Sequence, residues 1–194
     1  SPLKGEIVVV EAVVSASFQQ SNQLKGFFIQ EETADQDDNS ATSEGLFVYD
    51  TSLSVQAGDQ VRLLAKVDEY YGTTQLGQVQ EISICGQNIS TTATEISLPL
   101  TQTNDLEAVE GMLVTVNQPL TVVDNYGLAR YGELVLASER LYNPTQIATP
   151  GEAANQVKAA NALKTLVLDD GSTGQNPDLI PYPAPELSAN NSLR

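Results

Sequence analysis

Apolar and polar positions along the first half of the chain fall into short, mostly alternating runs, the pattern of half-buried strands. The run Gly5 to Phe18 carries Ile7, Val8, Val9, Val10, Ala12, Val13, Val14 and Phe18. Its density of β-branched residues predicts a long first strand, bent so that it serves both halves of a small barrel. After the polar connection Gln19 to Gln23, Gly26-Phe27-Phe28-Ile29-Gln30-Glu31 predicts a second strand, and Gly45-Leu46-Phe47-Val48-Tyr49 a third. In the segment Gln56 to Leu76, Gly58-Asp59 makes a turn and Val61, Leu63, Ala65 and Val67 share one face of a fourth strand. Arg62, Lys66 and Asp68 take its other face, and Gly72 reverses the chain into a fifth strand from Thr74 to Cys85. Five strands within Gly5 to Cys85 predict a mainly β fold, a five-stranded OB-fold-like Greek-key barrel.

A second β-rich stretch restarts the first. Boundaries are expected at 1–88 for the barrel, 89–105 for a polar linker and 106–194 for a second, incomplete β-rich module with one short helix. Val109 to Val116 predicts its opening strand, extended through Leu120-Thr121-Val122-Val123, and Asn125-Tyr126-Gly127 turns the chain. Gly132-Glu133-Leu134-Val135-Leu136-Ala137 parallels Gly26 to Glu31 in position and leading glycine, a weak internal repeat. Residues 149–163 predict the helix, with Pro150 near its start, Glu152 in its first turn and repeated alanine. Thr165 to Asp169 predicts a strand, and Ser172 to Arg194 an extended path rich in Pro, Asn and Ser. The second module is expected to lack two strands and to leave a sheet edge for a partner, a second copy or the chain itself to cover.

Composition narrows the chemistry. The 194 residues contain no histidine, which removes Ser-His and Cys-His dyads and histidine bases. Cys85 is the single cysteine, so no internal disulfide or thiolate zinc site is available, and burial beside Ile84 is expected for it. With 25 acidic and 9 basic side chains the formal charge is −16 and the pI about 4.1, which repels a polyanion at long range. No apolar run approaches the ~20 residues of a membrane helix, so no membrane insertion is expected. Ser1-Pro2-Leu3-Lys4 lacks the regions of a signal peptide and reads as a start inside a longer protein.

Several stretches together resemble one family. Gly26 to Glu31, Ala41-Thr42-Ser43-Glu44-Gly45-Leu46-Phe47-Val48-Tyr49, Gly58 to Arg62 and Glu69-Tyr70-Tyr71-Gly72-Thr73-Thr74-Gln75-Leu76 resemble the OB-fold-like region of large bacterial extracellular nucleases. Gly127 to Glu133, Arg140-Leu141-Tyr142-Asn143-Pro144-Thr145-Gln146, Leu168 to Ser172 and Gln175 to Asp178 are similar to the region that follows it. The resemblance implies a non-catalytic accessory region of a secreted or surface-attached bacterial DNase. It would precede an endonuclease/exonuclease/phosphatase-type catalytic domain, whose paired histidines and Mg²⁺ or Mn²⁺ have no counterpart in this chain. The implied partners are that downstream domain and DNA. A spacer or docking module that contacts the catalytic domain without touching nucleic acid is the alternative.

A nucleic-acid face on such a barrel needs stacking rings and phosphate contacts. Tyr49, Tyr70 and Tyr71 are the candidate rings, and Arg62, Lys66 and Arg130 the candidate cations, each weighed against a solvated surface role. Phe27, Phe28 and Phe47 are expected in the core. Asp35, Asp37, Asp38 and Asn39 space oxygens as the start of a Ca²⁺ loop does. Ser40 and Leu46 stand where an EF-hand needs Gly and Glu, and a solvated acidic loop is the competing reading. Asp169-Asp170-Gly171 is expected to be a turn rather than a carboxylate pair for catalysis.

Overall fold

The computed structural model describes residues 1–37, 39–177 and 179–182, and the fold is mainly β. Five strands form the first part: β1 (Ile7–Phe18), β2 (Gly26–Gln30), β3 (Gly45–Val48), β4 (Gln60–Tyr70) and β5 (Thr73–Gly86). They pair in the order β1-β2-β3-β5-β4, and β4 returns to β1. All pairs are antiparallel except β3 with β5, a parallel seam of two registered pairs, Phe47↔Gln75 and Val48↔Leu76. This is the strand order of the five-stranded, partly open Greek-key barrel.

The period-2 reading of β4 holds residue by residue. Val61, Leu63, Ala65 and Val67 are buried, while Arg62 and Asp68 are exposed. They pack with Ala12, Val14, Phe27, Ile29, Val48, Val55 and Leu76 into one core. Between strands, Gly58 takes φ +90°, open to glycine at little cost, and the buried Asp59 carboxylate accepts from Gln56 N at 2.9 Å and Gln87 Nε2 at 3.2 Å. The same alternation corrects the expectation for Cys85. Along β5 Ile82 and Ile84 pack against the core, so Cys85, the next residue after Ile84, is turned outward and exposed.

The chain divides into two compact units, residues 1–95 with 106–115, and residues 96–105 with those from Val116 on. The expected strand Val109 to Val116 does not form. A 3-10 helix spans Asp105–Val109, Gly111 turns at φ +72°, and only β7 (Val114–Thr115) is extended, pairing in parallel with β6 (Thr94–Glu95). Apolar content alone suggested a strand, but tertiary contacts to the barrel decide the path. Ser43 Oγ donates to the Glu110 carbonyl at 2.5 Å, and Leu113 N donates to Gln30 Oε1 at 2.9 Å. The approach is close enough that a Cβ on Gly45 would stand 2.5 Å from the Gly111 carbonyl carbon.

The second unit is built on a three-stranded antiparallel sheet, order β10-β9-β8, from β8 (Thr121–Asp124), β9 (Leu134–Ala137) and β10 (Thr165–Leu168). Its helix, α3 (Glu152–Ala162), lies within the span read from the sequence. Two single-turn helices accompany it, α1 (Leu128–Tyr131) and α2 (Pro144–Ile147). Among the described residues, no helix is long and apolar enough to cross a membrane.

The internal repeat is visible as register. In the barrel, Val14 faces Ile29 and Ala16 faces Phe28, so Ser15 is a bulge; in the second sheet, Val122 faces Leu136 and Asp124 faces Val135, so Val123 is one. Phe27, Phe28 and Ile29 then correspond to Leu134, Val135 and Leu136, and their partners Val48, Phe47 and Leu46 on β3 to Leu168, Val167 and Leu166 on β10. This equivalence is one residue displaced from the match of glycine with glycine: Gly26 corresponds to Glu133.

Candidate nucleic-acid interface

Consecutive residues on a strand point to opposite faces, so Phe27 and Phe28 cannot both be core. Phe27 is buried, whereas Phe28 and its direct partner Phe47 are only partly buried and stand outside the core cluster. The expectation of core packing is thus corrected for both. Their ring centroids are 5.0 Å apart, and Phe18 meets Phe28 edge to face at 6.0 Å. Gly26 makes this outer stack feasible, since a Cβ there would collide with the Phe47 ring and the Val48 carbonyl.

Register extends this face across the barrel. Phe28 pairs with Phe47, Phe47 with Gln75, and Gln75 with Asp68, three inter-strand steps or about 14 Å. Tyr49 follows two residues after Phe47, is 50% exposed, and donates its backbone N–H to the Leu76 carbonyl at 2.8 Å. The next residue of β5, Gly77, pairs with Lys66, and nothing lies within 4 Å of the position its Cβ would occupy. An open notch over Gly77 therefore lies between Tyr49 and Lys66.

Tyr70 and Tyr71 form the tip of the β4–β5 hairpin, with Tyr71 at φ +52° and Gly72 at φ +96°. Positive φ at both central residues suits the twist of a tight hairpin. Tyr71 is 93% exposed and meets Tyr70 edge to face at 4.7 Å, so the pair is a solvent-facing projection. Of the two carboxylates that precede it, Glu69 is paired with the Ser1 ammonium at 2.6 Å and Asp68 is exposed.

The remaining candidate cations lie elsewhere. Arg62 is four residues along β4 from Lys66, about 13 Å away. Its cross-strand neighbour is Glu11, and Glu81 lines the same shallow groove, of about 280 Å³. Arg130 belongs to the second unit, where Nε and Nη2 both donate to Gln175 Oε1 and the guanidinium lies over the Tyr131 ring. Of the acidic loop, Asp38 lies outside the described residues. Asp37 Oδ1 accepts from Asn39 N at 2.8 Å and Asn39 Oδ1 from Ala41 N at 3.2 Å, so both side chains are committed to the loop's own turns. Among the described residues, no group of three or more Asp, Glu, His or Cys side chains is arranged to hold a metal ion. Glu44, at the end of this loop, has its carboxyl raised above the ordinary value by burial first, then by a hydrogen bond to Glu31 and repulsion from Asp37 and Glu31.

The chain matches no family model, no curated protein and no solved structure.

Proposed function

We propose that this chain is a non-catalytic accessory region of a secreted bacterial nuclease, and that its barrel positions single-stranded DNA for a catalytic domain elsewhere in the protein. The observation that carries this reading is the outer stack of Phe18, Phe28 and Phe47, continued by Tyr49. Rings on an outer sheet face give bases a platform independent of sequence, worth about 1–3 kcal/mol per stacked base. Lys66 beside the Gly77 notch is the cation placed to meet a phosphate, and Lys25, next to Gly26, is a second. Any Mg²⁺ or Mn²⁺ chemistry belongs to the catalytic domain.

On this account binding is driven by stacking and only weakly by charge. One or two phosphate contacts give a slope of log K against log salt between about −0.7 and −1.4. Anisotropy titration of a labelled single-stranded oligonucleotide at several salt concentrations measures it. Tyr49→Ala, at a half-exposed position, should weaken binding about tenfold. Absence of binding at low salt with micromolar protein, or an unchanged affinity in the Tyr49 variant, overturns the proposal. The solvent-facing Tyr70 and Tyr71 pair at the hairpin tip favours a second reading, a docking module. In that case the oligonucleotide fails to bind while the catalytic domain, added separately, associates with the barrel.

A further inference from the structure

The second unit contains an open cleft of about 430 Å³, within the ordinary size range of small-molecule sites. Val135 and the bulge residue Val123 form part of its lining, and the segment carrying Arg140 and Tyr142 forms another. Val135 occupies the place of Phe28 in the barrel, so where the barrel has a ring stack the second unit has a hollow.

Three polar side chains of its lining are each secured by one atom, which leaves a second polar atom available to a ligand. Gln146 Oε1 accepts from Asn143 N at 3.2 Å, leaving its amide NH₂. Asn161 Nδ2 donates to the Tyr142 carbonyl at 3.2 Å, leaving its carbonyl oxygen. Asp124 Oδ1 accepts from Tyr126 N at 2.7 Å, leaving Oδ2. The Arg140 guanidinium lies 5.3 Å from the centroid of the Tyr142 ring and joins neither of the two ion pairs among the described residues. Two donor groups and two acceptor groups thus line the cleft beside an aromatic ring, and backbone bonds hold three of them, Gln146, Asn161 and Asp124.

We propose that this cleft binds a neutral saccharide. A sugar hydroxyl both donates and accepts, and so matches a lining that offers Arg140 and Gln146 as donors and Asp124 and Asn161 as acceptors. The half-exposed Tyr142 ring carries the Arg140 guanidinium over one face and offers its other face to the C–H face of a pyranose. Charge separates this ligand from a nucleotide: Asp124 offsets Arg140, so the cleft has no net positive charge to recover the cost of bringing phosphate to a chain of charge −16. The inference does not depend on whether the barrel binds DNA.

The test is an NMR titration of the full chain, ¹H–¹⁵N resonances being followed against a panel of neutral mono- and disaccharides, with deoxycytidine monophosphate as the charged comparison. The expected result is saturable shifts at millimolar sugar, confined to residues 123–126, 135, 140–146 and 161. Tyr142→Ala should weaken binding about tenfold with unchanged melting temperature. Arg140→Lys keeps the charge but loses the planar fork, and should weaken binding as well. No saturable shift with any sugar, shifts outside these residues, unaltered affinity in both variants, or saturation by the nucleotide in preference to every sugar overturns the proposal.

Discussion

The same three-stranded meander, with its bulge at the same place, occurs twice in this chain and ends in opposite surroundings. In the barrel, β5 seals the outer edge of β3, and Val48 is fully buried. In the second unit β10 is the edge of its sheet among the described strands, and Val167, in the place of Phe47, is 65% exposed. The backbone plan is common to both. What differs is which side chains fill each face and what pairs with the third strand, and these differences decide that one copy carries a ring platform and the other a cleft.

The comparison breaks most severely at Gly26. A side chain there must displace the Phe47 ring and the Val48 carbonyl, so Gly26→Val should cost about 3 kcal/mol or more. Its counterpart Glu133 already carries a Cβ, and Glu133→Ala should change stability by no more than about 0.5 kcal/mol. Denaturant titration of both variants measures the contrast, and equal losses would mean that the two meanders do not differ as described.

Gln30 separates the two copies next. It is 1% exposed, its Nε2 donates to the Thr92 carbonyl at 3.2 Å and its Oε1 accepts from Leu113 N, while the equivalent residue of the second sheet is the buried Ala137. Gln30→Ala makes the barrel resemble the second unit and leaves a backbone donor and acceptor unpaired, at a cost of about 1–3 kcal/mol. Hydrogen exchange should show Leu113 and Thr94 losing protection first, since Thr94 N donates to the Leu113 carbonyl at 2.9 Å. Uniform loss of protection across the barrel would contradict this local role.

Such residues also mark how far the sequence is readable. The strands of the barrel and the faces of β4 follow from periodicity, because Val61 to Asp68 alternates apolar with polar at every position but Leu64. Phe27-Phe28-Ile29 is an unbroken apolar run with no phase of its own, and only pairing with β1 and β3 shows which ring faces outward. The burial of Gln30 depends on partners 62 and 83 residues away. Val109 to Val116 has a strand's apolar content, yet Gly111 and contacts to Ser43, Gly45 and Gln30 override it. Arg140 and Tyr142 stand out in the sequence only by resemblance, because Asp124 and Asn161 reach the same cleft from distant elements. Tyr49 and Lys66 were accessible from alternation alone, whereas their shared notch over Gly77 needs the register.

A smaller contrast tests the sealed edge itself. Val48→Ala removes a fully buried side chain and should cost about 1.5–3 kcal/mol, whereas Leu168→Ala, at 38% exposure, should cost about 1 kcal/mol or less. If the second loss equals the first, β10 is covered in solution by something that the described strands do not supply.

The finest distinction is in pH. Glu44 in the first unit has a raised carboxyl, so its contribution to stability is present below the unfolded value of 4.5 and is lost as pH rises through the folded one. Glu44→Gln should therefore reduce the decline in melting temperature between acid and neutral pH. In the second unit the Tyr182 hydroxyl donates to the Gly132 carbonyl at 2.5 Å and is pushed up to about 12, by burial first and then by Asp170, Asp169 and Glu133. Its contribution is present below 10 and is lost as pH rises through about 12. Tyr182→Phe should flatten that alkaline limb and leave the acid limb unchanged. Melts of both variants across pH, with exchange at barrel and second-sheet amides read separately, check the assignment. If Glu44→Gln altered the second sheet or Tyr182→Phe the barrel, the two units would be titrating as one, and the local origin of each shift would be wrong.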